Sequence, residues 1–303
     1  MANITNGLNN NFQKKEMKKS MKGIQAEIYL LGIVIIWGST FAIVKNILTQ
    51  IFPMTFLTYR FFLATFVLGV VFWRRLKDIN KTVLKKGILI GIFLFLGYAF
   101  QTVGLKYTTA VKAGFITGLS VVLVPVICYF FIKEKINRNS ATGVIFAVIG
   151  LWFLNYNSNF NFNWGDFLIL LASISYAIFI VFVSLYTKKL DYVLLVIVQL
   201  FTVFILSLFL AFVFERPWIH LSYSSQVWWS IILTGIFATA LAFYMQNRFQ
   251  RYSTATKTAI IFSGEPIFAA IFAYLILGEK AGLIAWIGGL LIIFGMVIAQ
   301  RES

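Results

Sequence analysis

From about Ile28 onward the chain alternates long apolar runs with short polar breaks. Ten runs of about 17–25 residues stand out, at roughly 28–49, 53–73, 87–107, 109–132, 140–156, 166–186, 192–213, 227–247, 255–277 and 281–300. About 20 apolar residues in α-helical form cross the hydrocarbon core of a bilayer. A helix also satisfies its own backbone polar groups where no water is present. The pattern therefore predicts an all-α integral membrane protein of ten transmembrane helices with short connections. Residues 1–26 are polar and rich in Asn and Lys, and read as a disordered cytoplasmic tail. The first apolar run is too long for a signal-peptide core and is followed by no small-residue cleavage site, so it reads as an uncleaved span.

Composition agrees with the pattern. Of the 303 residues, 60% are hydrophobic and only 12% charged, about half the charge of a soluble domain. The formal charge of +16 raises the question of nucleic acid, and the positions of the charges answer it. With the N-terminus inside, 20 of the 26 Lys and Arg fall on the cytoplasmic side, as in Arg74, Arg75, Lys77, Lys81, Lys85 and Lys86. Only Lys106, Lys112, Arg216 and Lys280 fall outside, while Lys45 and Arg60 lie within spans. The positive-inside rule then predicts both termini in the cytoplasm, and no nucleic-acid partner. An Asn- and Lys-rich composition hints at an AT-rich bacterial genome, and the expected location is the bacterial inner membrane. The single Cys128 and single His220 supply no disulfide within the chain and no metal cluster, so neither metal nor cofactor is expected.

The two halves of the chain are related. At an offset of 145 residues, "QTVGLKYTTAVKAGF" (101–115) falls on "QNRFQRYSTATKTAI" (246–260). Gln101 meets Gln246, Thr109 meets Thr254 and Lys112 meets Lys257. Further on, Glu134–Lys135 meets Glu279–Lys280, and Gly143 and Gly150 meet Gly288 and Gly295. Ungapped, residues 97–153 and 242–298 share 11 identities in 57. In the earlier spans the offset falls to about 139, placing Trp37 on Tyr176 and Arg60 on Gln199. Five spans per half is an odd number, so the halves (27–156 and 157–303) are expected to be inverted about an axis in the membrane plane, an architecture of secondary transporters.

Four segments give the chain a resemblance to the drug/metabolite transporter superfamily, specifically an EamA-type exporter of ten spans. They are "WGSTFAIVK" (37–45), "PMTFLTYRFFLA" (53–64), "GLKYTTAVKAGFITGLSVVLVPVICYFFIKEK" (104–135) and "RYSTATKTAIIFSGEPIFAAIFAYLILGEK" (251–280). The resemblance covers about residues 27–300. It implies export of amino acids, other small metabolites or drugs, often by proton exchange. Two departures stand out. Tyr176–Ala177 replaces a Trp-Ala common in the family, and Pro125 and Pro266 are offset by four residues between the halves, about one turn.

Several polar residues interrupt the spans. Glu265, followed by Pro266, is the only acid deep in any span. Burial disfavours an ionised carboxyl, so this residue reads as a proton-coupling or substrate-amine site, or as a structural acid beside a proline kink. Arg60 either binds a substrate carboxylate bidentately or snorkels. Gln101 and Gln246, at one repeat position, line a cavity or let helices pack closely. Trp37, Tyr176 and Tyr244 are candidate aromatic walls, with bulk filling as the alternative. Gly87/Gly91 and Gly114/Gly118 read as packing pairs. Thr109 and Thr254 read as N-caps. Lys112 and Lys257 follow in the first turn, where the dipole disfavours a cation, unless a neighbouring acid, an anionic substrate or snorkelling offsets it.

The expected function is export of a small metabolite, an amino acid or similar solute, by alternating access with possible proton coupling. The expected partners are that solute and membrane lipid; a homodimer stays open. An uncoupled facilitator is the alternative within transport. A membrane-embedded lipid-modifying enzyme and a non-transporting scaffold are the alternatives from other classes. The spans carry no His or paired acids for the former, and no sizeable loop offers a docking site for the latter.

Overall fold

The computed structural model describes residues 2–133, 136–154, 163–215, 223–279 and 282–300, with side chains from Gly23 onward. Among them every regular element is helical. The helices are α1 (Ala2–Ile47), α2 (Pro53–Val71), α3 (Lys81–Leu105), α4 (Ala110–Gly118), α5 (Ser120–Ile132), α6 (Arg138–Leu154), α7 (Trp164–Tyr186), α8 (Tyr192–Leu210), α9 (Ser225–Gly235), α10 (Ala242–Gln250), α11 (Ala255–Phe262), α12 (Glu265–Leu277) and α13 (Leu283–Gln300). A short 3-10 turn (Trp73–Asp78) follows α2, and π-helical turns extend α8 (Ala211–Glu215) and join α9 to α10 (Ile236–Leu241). The Glu134–Lys135 pair, Lys280, His220 and the 156/157 boundary lie outside the described residues.

Eight helical stretches are long and apolar enough to cross a membrane: Gly23–Ile47, Pro53–Val71, Lys81–Leu105, Ala110–Phe131, Trp164–Tyr186, Tyr192–Glu215, Ser225–Gln250 and Ala255–Leu277. The chain is a multi-pass membrane protein. The other two expected spans fall on α6 and α13, whose apolar parts, Arg138–Phe153 and Trp286–Ala299, are shorter. At 1.5 Å per residue the 17 residues of α6 span about 25 Å.

Local sequence explains the breaks. Thr109 accepts a hydrogen bond from the Lys112 amide, and Thr254 one from the Lys257 amide, each at 3.1 Å. These caps start α4 and α11 145 residues apart. α4 yields to α5 at Leu119, and α11 to α12 at Ser263–Gly264. α5 ends on Lys133 and α12 on Gly278, both in the left-handed region. Leu119/Gly264 and Lys133/Gly278 are again 145 apart. The prolines do not obey the offset: Pro125 lies inside α5 and Pro266 at the start of α12. The first break therefore needs no proline of its own. Gly118 lies across from Pro266, whose Cγ is 3.0 Å from where a Cβ on Gly118 would stand.

Packing joins the halves lengthwise. α2 and α8 run antiparallel and are tied at both ends. The Glu215 carboxylate accepts hydrogen bonds from the Met54 and Thr55 amides, each at 2.8 Å, at the start of α2. At the other end Arg75 pairs with Asp191, the N-cap of α8. α6 and α13 form a glycine seam. A Cβ on Gly143 would stand 2.8 Å from the Gly295 carbonyl oxygen, and one on Gly150 2.5 Å from that of Gly288. Gly87 and Gly91 of α3 admit Val198 and Thr202 of α8 in the same manner, as small residues do between helices in lipid.

Candidate functional site

Helices α1, α3, α4, α5, α7, α10, α11 and α12 converge on a cavity. Thirteen residues line it, and twelve of them form six pairs at the repeat offsets. Trp37 pairs with Tyr176 and Thr40 with Phe179, 139 apart. Tyr98 pairs with Phe243, Gln101 with Gln246, Thr117 with Phe262 and Ser120 with Glu265, 145 apart. Ile180 completes the lining. A cavity whose wall is supplied in equal shares by corresponding positions lies where the two halves meet.

Gln101 and Gln246 are alike; the other five pairs match in place and differ in chemistry. The first half contributes Thr40, Tyr98, Gln101, Thr117 and Ser120, a largely hydroxyl- and amide-bearing wall. The second contributes Tyr176, Phe179, Phe243 and Phe262, an aromatic wall carrying Gln246 and Glu265. Trp37 crosses over: its ring lies 5.3 Å from that of Phe243 and 5.1 Å, edge-on, from that of Phe262. Its indole Nε1 donates to the Ala238 carbonyl at 2.9 Å. Ala238 belongs to the π-helical turn, where slackened helical pairing leaves a carbonyl available to a side chain.

Hydrogen bonds cross the cavity on one side only. The Tyr176 hydroxyl donates to Gln101 Oε1 at 3.0 Å, and Gln101 Nε2 donates to the Thr117 hydroxyl at 3.2 Å. Gly97 allows this, because the Tyr176 ring occupies the space its Cβ would take. Gln246 behaves differently. Its Nε2 donates to Gln250 Oε1 at 2.9 Å, and Gln250 Nε2 donates to the Ile180 carbonyl at 2.7 Å. A carbonyl only accepts, so Ile180 fixes the orientation of both amides. Gln246 Oε1 is left buried and unpartnered at the cavity wall. The Glu265 carboxyl likewise has no hydrogen-bond or ion-pair partner among the described residues.

Of the seven residues singled out from sequence, Trp37, Gln101, Tyr176, Gln246 and Glu265 line this cavity; Arg60 and Tyr244 do not. Arg60 is 2% exposed and does not snorkel. Its Nε donates to the Thr239 hydroxyl at 2.7 Å and its Nη2 to the Tyr98 hydroxyl at 3.2 Å. The guanidinium stands 4.8 Å over the Tyr98 ring and 5.8 Å from that of Phe61, so aromatic faces rather than an acid surround it. Arg60 thus holds the cavity wall from behind. Tyr244 follows Phe243, which takes the inward position, and about 100° of helical turn carries Tyr244 away. It stacks on Phe72 at 5.4 Å instead. Tyr98 and Phe243 went unselected, although the offset relating Gln101 to Gln246 pairs them too.

A polar cluster joins the helices at one end of the bundle. Thr108 donates to the Asp166 carboxylate, Lys112 pairs with it at 3.8 Å, and Lys45 donates to the Thr108 carbonyl. Asp166, 2% exposed, is the acid that offsets Lys112 in the first turn of α4. Below it, Gly104 and Gly165 meet backbone to backbone: a Cβ on Gly165 would stand 2.7 Å from the Gly104 carbonyl oxygen. The corresponding positions at the other end are Ser253, Lys257, Glu27, Phe249 and Ala26. There the Ser253 hydroxyl is buried and unpartnered, and Lys257 has no carboxylate within 4.0 Å among the described residues. Tyr29 stacks on Phe249 at 4.3 Å.

Comparison with known proteins bears on the family and the fold. The sequence profile of the EamA-like transporter family matches residues 24–156 and again 163–300. An uncharacterized transporter of Archaeoglobus fulgidus is 36% identical over 282 residues, 93% of this chain and 88% of that protein. The uncharacterized transporter YoaV of Bacillus subtilis is 25% identical over 281 residues, 90% and 96% of the two chains. One crystal structure, 16% identical, superposes with a TM-score of 0.74 over 91% of this chain and 96% of its own. That likeness concerns the fold.

Proposed function

Because the chain belongs to the EamA-like transporter family, we propose that the cavity is the substrate site of a secondary transporter, exporting small organic metabolites of about amino-acid size from a bacterial cell. The observation that carries this reading is the lining by six repeat-related pairs. A site on the axis between two like halves serves both orientations of the protein equally well. In this reading α6 and α13 complete two inverted sets of five spans, with both termini in the cytoplasm. The reciprocal glycine contacts support it: Gly143 faces Gly295 and Gly150 faces Gly288, each the counterpart of the other pair's member.

Alternating access then has a structural expression. The Thr108–Lys112–Asp166 cluster closes the outer end in the present state. In the opposite state Ser253 and Lys257 close on Glu27 at the inner end. The unpartnered Ser253 hydroxyl supports this exchange.

Glu265 is the coupling residue. A half-buried carboxyl within a span, with no fixed cation, is neutralised by a proton or paired with a substrate group, and competition between the two links their movements. The test is uptake into proteoliposomes under an imposed pH gradient. Glu265→Gln is expected to abolish gradient-driven accumulation while leaving substrate exchange across the same membrane. Gradient-driven accumulation at the original rate in that variant would remove the coupling role and leave an uncoupled facilitator.

A further inference from the structure

The transporter reading leaves the substrate's charge open, and the polar atoms around the cavity bear on it. Resting on that reading, we propose that this protein carries organic amines with an aromatic or similarly bulky apolar body, and discriminates against solutes whose charged group is a carboxylate.

The balance of donors and acceptors carries the argument. None of the thirteen lining residues is Lys, Arg or His. The strong N–H donors are largely engaged: Trp37 Nε1 gives its one proton to Ala238, and Gln101 Nε2 and Gln246 Nε2 each give one of two, to Thr117 and Gln250. Arg60, the nearest cation, reaches the cavity only through the Tyr98 hydroxyl. What remains to give is neutral: the second amide proton of Gln101 and of Gln246, and hydroxyl protons of Thr117, Ser120 and Tyr98. A substrate carboxylate entering here would lose its hydration and find no cation in exchange.

Acceptors, by contrast, stand open. Gln246 Oε1 is buried, unpartnered, and held in that orientation by the Gln250–Ile180 relay. A native structure rarely leaves such an atom without a partner, and a bound N–H group supplies one. The Glu265 carboxyl lines the same cavity with no cation of its own. An ammonium offers three donors and no acceptor, the complement of this pair. The rest of the wall suits the rest of such a molecule. Trp37, Phe243 and Phe262 present clustered rings that cover an apolar body and attract a cation at their faces.

The experiment uses three ligands that share one ring system and differ only in charge: tryptamine, tryptophan and indole-3-acetate. Binding to the purified full-length protein is read from thermal stabilisation across a concentration series, and flux from exchange in proteoliposomes. The expected order is amine, then zwitterion, then acid. The amine should bind at least about tenfold more tightly than the acid, the size of one charge-assisted hydrogen bond. Gln246→Leu and Glu265→Gln should each narrow that ratio, with ligand-free melting showing that both fold. Either variant suffices if the other fails to fold. Equal or tighter binding of the acid or the zwitterion overturns the amine assignment and leaves the transporter reading standing. No binding by any of the three also overturns it. Only the further absence of flux for every metabolite offered would count against transport itself.

Discussion

At the scale of the residue, the cavity depends on positions that never touch its contents. Gly97 is one: the Tyr176 ring lies where its side chain would be. Gly97→Ala is expected to push that ring aside and break its bond to Gln101. Exchange in proteoliposomes should fall about tenfold or more, the loss of a positioning hydrogen bond, with little change in melting temperature. Arg60 is another. Arg60→Met keeps volume but leaves the Thr239 and Tyr98 oxygens without their donor. Truncations of this kind cost about 1–3 kcal/mol, measurable as a lower midpoint in thermal unfolding. Arg60→Lys should recover only part of it, since an ammonium lacks the planar fork that reaches both oxygens.

At the scale of the element, much of the architecture was legible before any coordinates. Eight apolar runs became membrane-length helices because length and hydropathy alone decide that question in a bilayer. The repeat was legible through polar identities such as Gln101/Gln246, which lipid contact does not select. Other features were hidden. The π-helical turn at Ile236–Leu241 carries no sequence mark, yet its Ala238 carbonyl anchors Trp37. Tyr244 drew notice as an aromatic residue, but Phe243, one position earlier, faces inward. The polar residues of α10, Gln246, Asn247, Arg248 and Gln250, are spread around the helix, so they do not tell which of the neighbouring rings faces inward. The role of Pro266 also needed the structure, since it is Gly118 on another helix that receives it. The α6–α13 seam gives a test at this scale. Gly150→Ala would drive a Cβ within 2.5 Å of a backbone oxygen that no side-chain rotation can move. Overpacking of this kind costs about 1–3 kcal/mol, and Gly69→Ala, with nothing within 4 Å, is the neutral control in the same unfolding assay.

At the scale of the whole molecule, the two ends of the bundle are not equivalent. One is joined by Thr108, Lys112 and Asp166 over a flat glycine contact. The other has an unpartnered Ser253 and an aromatic stack in place of glycine. With Cys128 replaced, a cysteine pair at Thr108 and Asp166 should cross-link readily without substrate and stop transport until reduced. A pair at Ser253 and Glu27 should cross-link slowly and faster during turnover. Equal rates for the two pairs, unaffected by substrate, would mean that the ends do not take turns.

The glycine seam between α6 and α13 carries one more consequence. It joins each helix to its own counterpart, so exchanging the shapes of the two halves turns the seam into itself. In the proposed cycle a contact of that kind weighs equally on both sides and acts as a fulcrum. Tightening it makes the protein harder to unfold without favouring either orientation. Tightening the Gly104–Gly165 contact instead deepens one orientation alone, and robustness gained there is lost from the rate of turnover.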